Sequence, residues 1–187
     1  MASAVLWCTP VDSAAMIEVE TMTTTHILTL PGAMLKRGFW LYVWRVSAPN
    51  GQELLYVGRT GDNSSPYATA PYTRMGQHLG FSPNQNALRR HLLNRGIVAE
   101  DCRGFELIAY GPLYDEVRKG DGLTRADLMA AHMPLRDLVG ALEKVLAEQL
   151  KASGYHVLNT VKWKHPHEAR GWESARQAFA EHFPNLR

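Results

Sequence analysis

The chain has 187 residues, 45% hydrophobic and 20% charged, which suits one compact domain with a sizeable core and excludes disordered and collagen-like classes. The net charge of +2 is unevenly spread: residues 1–35 hold three acidic and no basic residues (−3), residues 36–95 eight basic against two acidic (+6), and the remainder twelve against thirteen (−1). Two distant cysteines, Cys8 and Cys102, give neither a disulfide framework nor a thiolate zinc site. With no apolar run of about 18 residues and no basic leader, the reading is a cytoplasmic protein with no membrane partner.

Residues 1–37 read as a loosely attached arm, with a short edge strand at His26 to Leu30 closed by Pro31-Gly32. Phe39 to Val46, rich in aromatic and β-branched residues, and Glu53 to Arg59 flank the turn signal Pro49-Asn50-Gly51 and predict an antiparallel hairpin. Thr60 to Ala70 is small and polar, the composition of a mobile surface loop. A short helix follows over 72–79, with Pro71 at its start and Gly80 at its end. A second opens at Asn86 as N-cap, carries Leu88, Leu92 and Leu93, and stops at Gly96. Phe105 to Tyr110 predicts a third strand, and 113–134 reads as irregular. Leu135, Leu138, Val139, Leu142, Val145 and Leu146 predict a long helix over 135–152, ended by Ser153-Gly154. An amphipathic helix is expected around Trp172 to Phe183. The fold class is α/β in the α+β sense: a small, mainly antiparallel three-stranded sheet flanked by helices.

Tyr42 and Tyr56 lie in apolar strand contexts where a phenol is seldom fully exposed, and each alone also reads as an ordinary core tyrosine. Arg74 and His78, four apart on one helix, project from one face and can converge on an anion. His165 and His167 are spaced closely enough to suggest a metal pair, but with no Cys or third His beside them they read as surface residues.

The ordered set Trp40-Leu41-Tyr42, Tyr56-Val57-Gly58-Arg59-Thr60, Arg74 with His78, Glu148 and Leu158-Asn159 resembles the GIY-YIG nuclease superfamily. The resemblance covers residues 38–161. The first tripeptide keeps only its tyrosine, and Tyr-Val-Gly replaces Tyr-Ile-Gly. The long span from His78 to Glu148 implies an insertion at about 113–134. Residues 162–187 are then a helical tail packed on the domain. Among carboxylates Glu148 is preferred for its distance to Asn159 and for a helix flank shared with Ala141 and Ala152. Glu143, Glu116 and Glu106 are its rivals.

The resemblance implies a Mg²⁺-dependent DNA endonuclease, with Mn²⁺ as a substitute ion. One metal would sit on Glu148, Arg74 would stabilise the pentacovalent phosphorus, and Tyr42 would lead as general base. Tyr56 and His78 would orient the water or relay its proton, and His78 is the alternative base. Arg59, Arg89, Arg90 and Asn159 are the expected substrate contacts, on a duplex held through its phosphates, and a homodimer is compatible with this reading. The competing reading is a nucleic-acid-binding or protein-interaction module on the same fold without turnover.

Overall fold

The structure is a computed structural model that describes residues 23–62, 65–82, 86–118, 122–165 and 169–186. The first 22 residues, including Cys8, and His167 lie outside that set. The sheet has three strands, β1 (Gly38–Ser47), β2 (Glu53–Arg59) and β3 (Gly104–Asp115), in the order β2-β1-β3, and both pairings are antiparallel. Four α-helices complete the fold: α1 (Pro71–Leu79), α2 (Ala87–Leu93), α3 (Arg125–Ala152) and α4 (Ala169–Ala180). No helix among the described residues is long and apolar enough to cross a membrane.

Because side chains alternate across a strand, the central strand β1 divides the core in two. Phe39, Leu41 and Val43 join Leu55 and Val57 of β2 against Val139, Leu142, Leu146 and Leu150 of α3 and Phe179 of α4. On the opposite face Tyr42, Trp44 and Val46 meet Leu54, with Leu88 and Leu92 of α2. Helices therefore cover both faces of the sheet. This explains why β1 is buried along nearly its whole length and reads as a continuous apolar run.

Several sequence expectations change. His26 to Leu30 is extended and largely exposed without a strand partner, and Pro31 leads directly into a 3₁₀ turn over Gly32–Leu35. The outer edge of β2 is instead occupied by the segment after α3, through a parallel bridge between Leu55 and Val157. The loop after β2 is not a free surface element. Thr60, Gly61, Pro66, Ala68 and Ala70 are buried, so its small residues serve close packing. His132 of α3, itself fully buried, donates from Nε2 to the Asp62 carbonyl at 3.3 Å and lies against the Phe39 ring.

The stretch expected to be irregular is largely regular. β3 runs on to Asp115 because Gly38 and Phe39 pair with Asp115 and Tyr114, beyond a register shift that lets Pro112 sit where no ladder donor is required. α3 begins at Arg125, ten residues before the expected start, under a capping box in which Thr124 accepts from the Asp127 amide and the Asp127 carboxylate accepts from the Thr124 amide. Pro134 lies inside that helix, where burial of Leu128, His132 and Arg136 offsets the lost backbone bond. Asn86 precedes α2 as expected, but its side chain makes no cap bond. Gly96 does end the following turn at φ 71°. α4 spans three residues earlier than expected at each end, and Phe183 packs into the core from beyond it.

Candidate active site

The antiparallel register sets the site. Tyr42 stands opposite Gly58, and Trp44 opposite Tyr56, so the two tyrosines are diagonal neighbours on the α1/α2 face. The Tyr42 ring lies directly over Gly58. A Cβ on that glycine would meet the ring at 2.4 and 2.5 Å and its hydroxyl at 2.6 Å. The glycine of Tyr-Val-Gly is therefore the space the first tyrosine occupies. Thr60, fully buried, staples the end of β2 to β1, donating to the Gly38 carbonyl at 2.5 Å and accepting from the Trp40 amide at 2.8 Å.

α1 delivers the next two groups. Pro71 at its first position fits a helix start, and the four-residue spacing of Arg74 and His78 turns both toward the tyrosines. The Tyr42 hydroxyl and His78 Nε2 share a hydrogen bond of 2.6 Å in a buried setting, with Tyr42 1% and His78 6% exposed. The His78 ring also rests against Tyr56, with centroids 5.0 Å apart, while His91 of α2 covers the same tyrosine at 5.6 Å. The second ring nitrogen of His78, Nδ1, is buried with no hydrogen-bond partner among the described residues.

Burial dominates the electrostatics. It pushes the Tyr42 phenol well above its ordinary value, although Arg74 pulls the other way, and it pushes Tyr56 up to about 12. His78 moves down to about 4, through burial first and the Arg74 charge second. The pair at the centre is thus a protonated phenol beside a neutral imidazole. Burial thus opposes both the Tyr42 phenolate and the His78 imidazolium.

Arg74 donates to Asp62 at 2.5 Å and to Gln77 at 2.9 Å, and its Nε is buried with no hydrogen-bond partner among the described residues. Its charge acts on both tyrosines.

The carboxylate at the site belongs to Glu143. Glu148 is 61% exposed and leans on Lys144 at 3.8 Å, so it does not join the cluster. Glu106 pairs with Arg45 and Glu116 with Arg37. Glu143 accepts from Arg59 Nε at 2.8 Å and acts electrostatically on Tyr42 and Tyr56. The preference for Glu148 rests on its distance to Asn159 and on a flank shared with Ala141 and Ala152, but Ala141 is itself core, and the buried stripe of α3 runs through Val139, Gly140, Leu142, Leu146 and Ala147. Glu143 sits within that stripe. A carboxylate with buried residues four before it and three and four after it was the available signal.

Glu143 is the carboxylate placed to hold a cation, were one bound. Burial raises its carboxyl above the usual range despite Arg59 and Arg74, and the hydrogen bond from Arg59 falls on Oε2. One carboxylate oxygen in a partly desolvated position is the sparse protein ligation that Mg²⁺ accepts.

The expected substrate contacts divide. Arg59 is occupied by Glu143 and stacks on Trp163, 4.6 Å from the ring centroid, so it positions the carboxylate. Asn159 engages both ends of its amide on Val57, accepting from the amide at 3.0 Å and donating to the carbonyl at 2.8 Å, which makes it a staple on the edge of β2. Arg89 braces the turn between α1 and α2 through the Leu79 carbonyl, Glu100 and the Phe81 ring. Arg90 alone of the four is exposed, and its charge reaches Tyr56. His165 pairs with Asp137 at 3.7 Å. The sequence reading missed Asp62, Gln77 and His91. Asp62 and Gln77 reach the site through Arg74, and His91 through Tyr56. Comparisons of the chain with protein-family models, with curated proteins and with solved structures returned no match.

Proposed function

We propose that the protein is a Mg²⁺-dependent DNA endonuclease that hydrolyses a phosphodiester at the Tyr42–His78 pair. The observation that carries this reading is the buried 2.6 Å hydrogen bond between the Tyr42 hydroxyl and a neutral His78, within electrostatic reach of Arg74 and Glu143. In-line attack on phosphorus needs a base for the water, a cation for the equatorial oxygens and help for the leaving oxygen. As the water attacks, the Tyr42 hydroxyl takes its proton while passing its own to His78 Nε2, so a buried phenolate never forms. Burial and the Arg74 charge also disfavour the imidazolium at His78, which is offset by the negative charge growing on the phosphoryl oxygens beside it. Tyr56, half-buried and wedged between His78 and His91, orients the water. Arg74 stabilises the charge that grows on the phosphoryl oxygens. Glu143 would hold Mg²⁺ or Mn²⁺ through Oε1, and the bound ion would supply charge neutralisation at the leaving 3′ oxygen.

A module without turnover draws on one observation: Arg59 already holds Glu143, and Asp62 already holds Arg74. Supercoiled plasmid incubated with Mg²⁺ or Mn²⁺, beside an EDTA control, separates the two readings. Nicked or linear product only with metal is the expected result. Retarded plasmid without product under all three conditions would favour the inactive module.

A further inference from the structure

A cleft of about 200 Å³ opens beside Arg74 on the side of the loop after β2, lined by Arg37, Asp62, Ser65, Thr69, Arg74 and Gln77. Its size falls below the roughly 300–1,000 Å³ of pockets that enclose drug-sized ligands, and its lining side chains are polar or charged except for the ring of Tyr67. Two guanidinium groups, three hydroxyls and an amide line the cleft with one carboxylate, a donor-rich set suited to a small anion.

Two of these groups are buried without partners. Thr69 Oγ1 and Arg74 Nε make no hydrogen bond among the described residues, although each is shut off from solvent. An unpaired buried donor is costly, and both side chains line this cleft, so an acceptor drawn in beside them would supply the partner each lacks. Arg37 grips Glu116 through Nε and Nη2, both at 2.6 Å, which leaves Nη1 for another acceptor. α1 starts at Pro71, two residues after Thr69, with no side-chain cap and no acidic residue in its first turn, so the positive end of its dipole is uncompensated there. Asp62 places its own carboxylate on Arg74 at 2.5 Å, so the chain supplies an anion at this point.

We propose that this cleft is a phosphate subsite, in which a phosphate oxygen replaces the Asp62 carboxylate on Arg74 and accepts from Thr69 Oγ1. In a nucleic-acid strand it would seat the phosphate next to the one under attack, a placement that rests on the nuclease reading. Arg74 is shared between the two positions, since its guanidinium lines the cleft while its charge reaches Tyr42 and Tyr56. Asp62 then favours release and discriminates against weakly charged ligands.

The test is calorimetric titration in EDTA with three probes: inorganic phosphate, a short 5′-phosphorylated oligonucleotide, and the same oligonucleotide with a 5′ hydroxyl. Thr69→Val should weaken phosphate binding about tenfold, the effect of one hydrogen bond to a charged group, while Asp62→Asn should tighten it by a similar factor. Thermal unfolding of both variants checks that each is folded. A 5′-phosphorylated probe that binds more tightly than its hydroxyl twin identifies a seat for a terminal phosphate, and equal binding identifies an internal diester. Either outcome supports the subsite. Binding of all three probes that neither variant alters, or no binding of any probe to the wild type, overturns it. Phosphate binding that responds to Thr69→Val in a protein that never cuts DNA would refute the nuclease reading and leave the subsite standing.

Discussion

Gly58→Ala is the substitution in which the geometry of this site speaks most directly. Gly58 lies in a regular strand without positive φ, so alanine meets no backbone objection, and its strand propensity alone would make the change neutral or slightly favourable. The added Cβ, however, falls 2.4 Å from the Tyr42 ring, where ordinary contact begins at 3.4 Å, so the ring must retreat by about 1 Å. Tyr42 is 1% exposed and its hydroxyl is fixed to His78 at 2.6 Å, so the shift strains a packed core and pulls the hydrogen bond apart. Overpacking of this kind costs about 1–3 kcal/mol, and a 1 Å misplacement of a reacting group costs about 10²-fold in rate. Urea unfolding gives the first quantity and single-turnover plasmid cleavage the second. A Gly58→Ala protein as stable as wild type, with the hydroxyl signal of Tyr42 unchanged by NMR, would refute the steric account of the Tyr-Val-Gly motif.

Three further predictions rest on separate contacts. Tyr42→Phe removes the proton carrier and leaves His78 Nε2 unpaired, so cleavage should fall by about 10²–10⁴ while stability drops by about 1 kcal/mol; cleavage kinetics and urea unfolding read the two. Because His78 titrates near 4 when folded and near 6.5 when unfolded, the unfolded chain takes up the proton first as pH falls. Stability is therefore complete above about pH 6.5 and declines toward pH 4, by about 3 kcal/mol from this residue. The difference in unfolding free energy between wild type and His78→Gln, followed across that window, isolates this contribution from those of His91 and His132, whose pKa values are also lowered by burial. Asn159→Ala strips the partners from both backbone groups of Val57 and should cost about 2 kcal/mol in urea unfolding with unchanged DNA affinity; a loss of affinity without loss of stability would restore it as a phosphate contact.

The antiparallel hairpin was legible because the pattern of Phe39 to Val46 and Glu53 to Arg59, and the turn between them, all point the same way. The start of α3 was less legible. Pro134 is a strong breaker, and only the weaker box of Thr124 and Asp127 announced that the helix begins earlier. The ranking of Glu148 above its rival Glu143 has a related reason: a search for a polar flank favours the exposed residue, whereas the burial of Glu143 is made tolerable by Arg59, a partner 84 positions away in sequence. Asn159 illustrates the same limit. Its amide reads as a ligand in sequence, but the open edge of β2 turns it into a substitute for a neighbouring strand.

The central claim is that Glu143, with Tyr42, His78 and Arg74, forms a metal-dependent phosphodiesterase site. The measurement closest to it is the rate of Mg²⁺-dependent plasmid cleavage by Glu143→Gln and Glu148→Ala, each verified as folded by circular dichroism. The account predicts that Glu148→Ala cuts like wild type and Glu143→Gln does not cut at all. Wild-type cleavage by Glu143→Gln, or its loss only in Glu148→Ala, would contradict it.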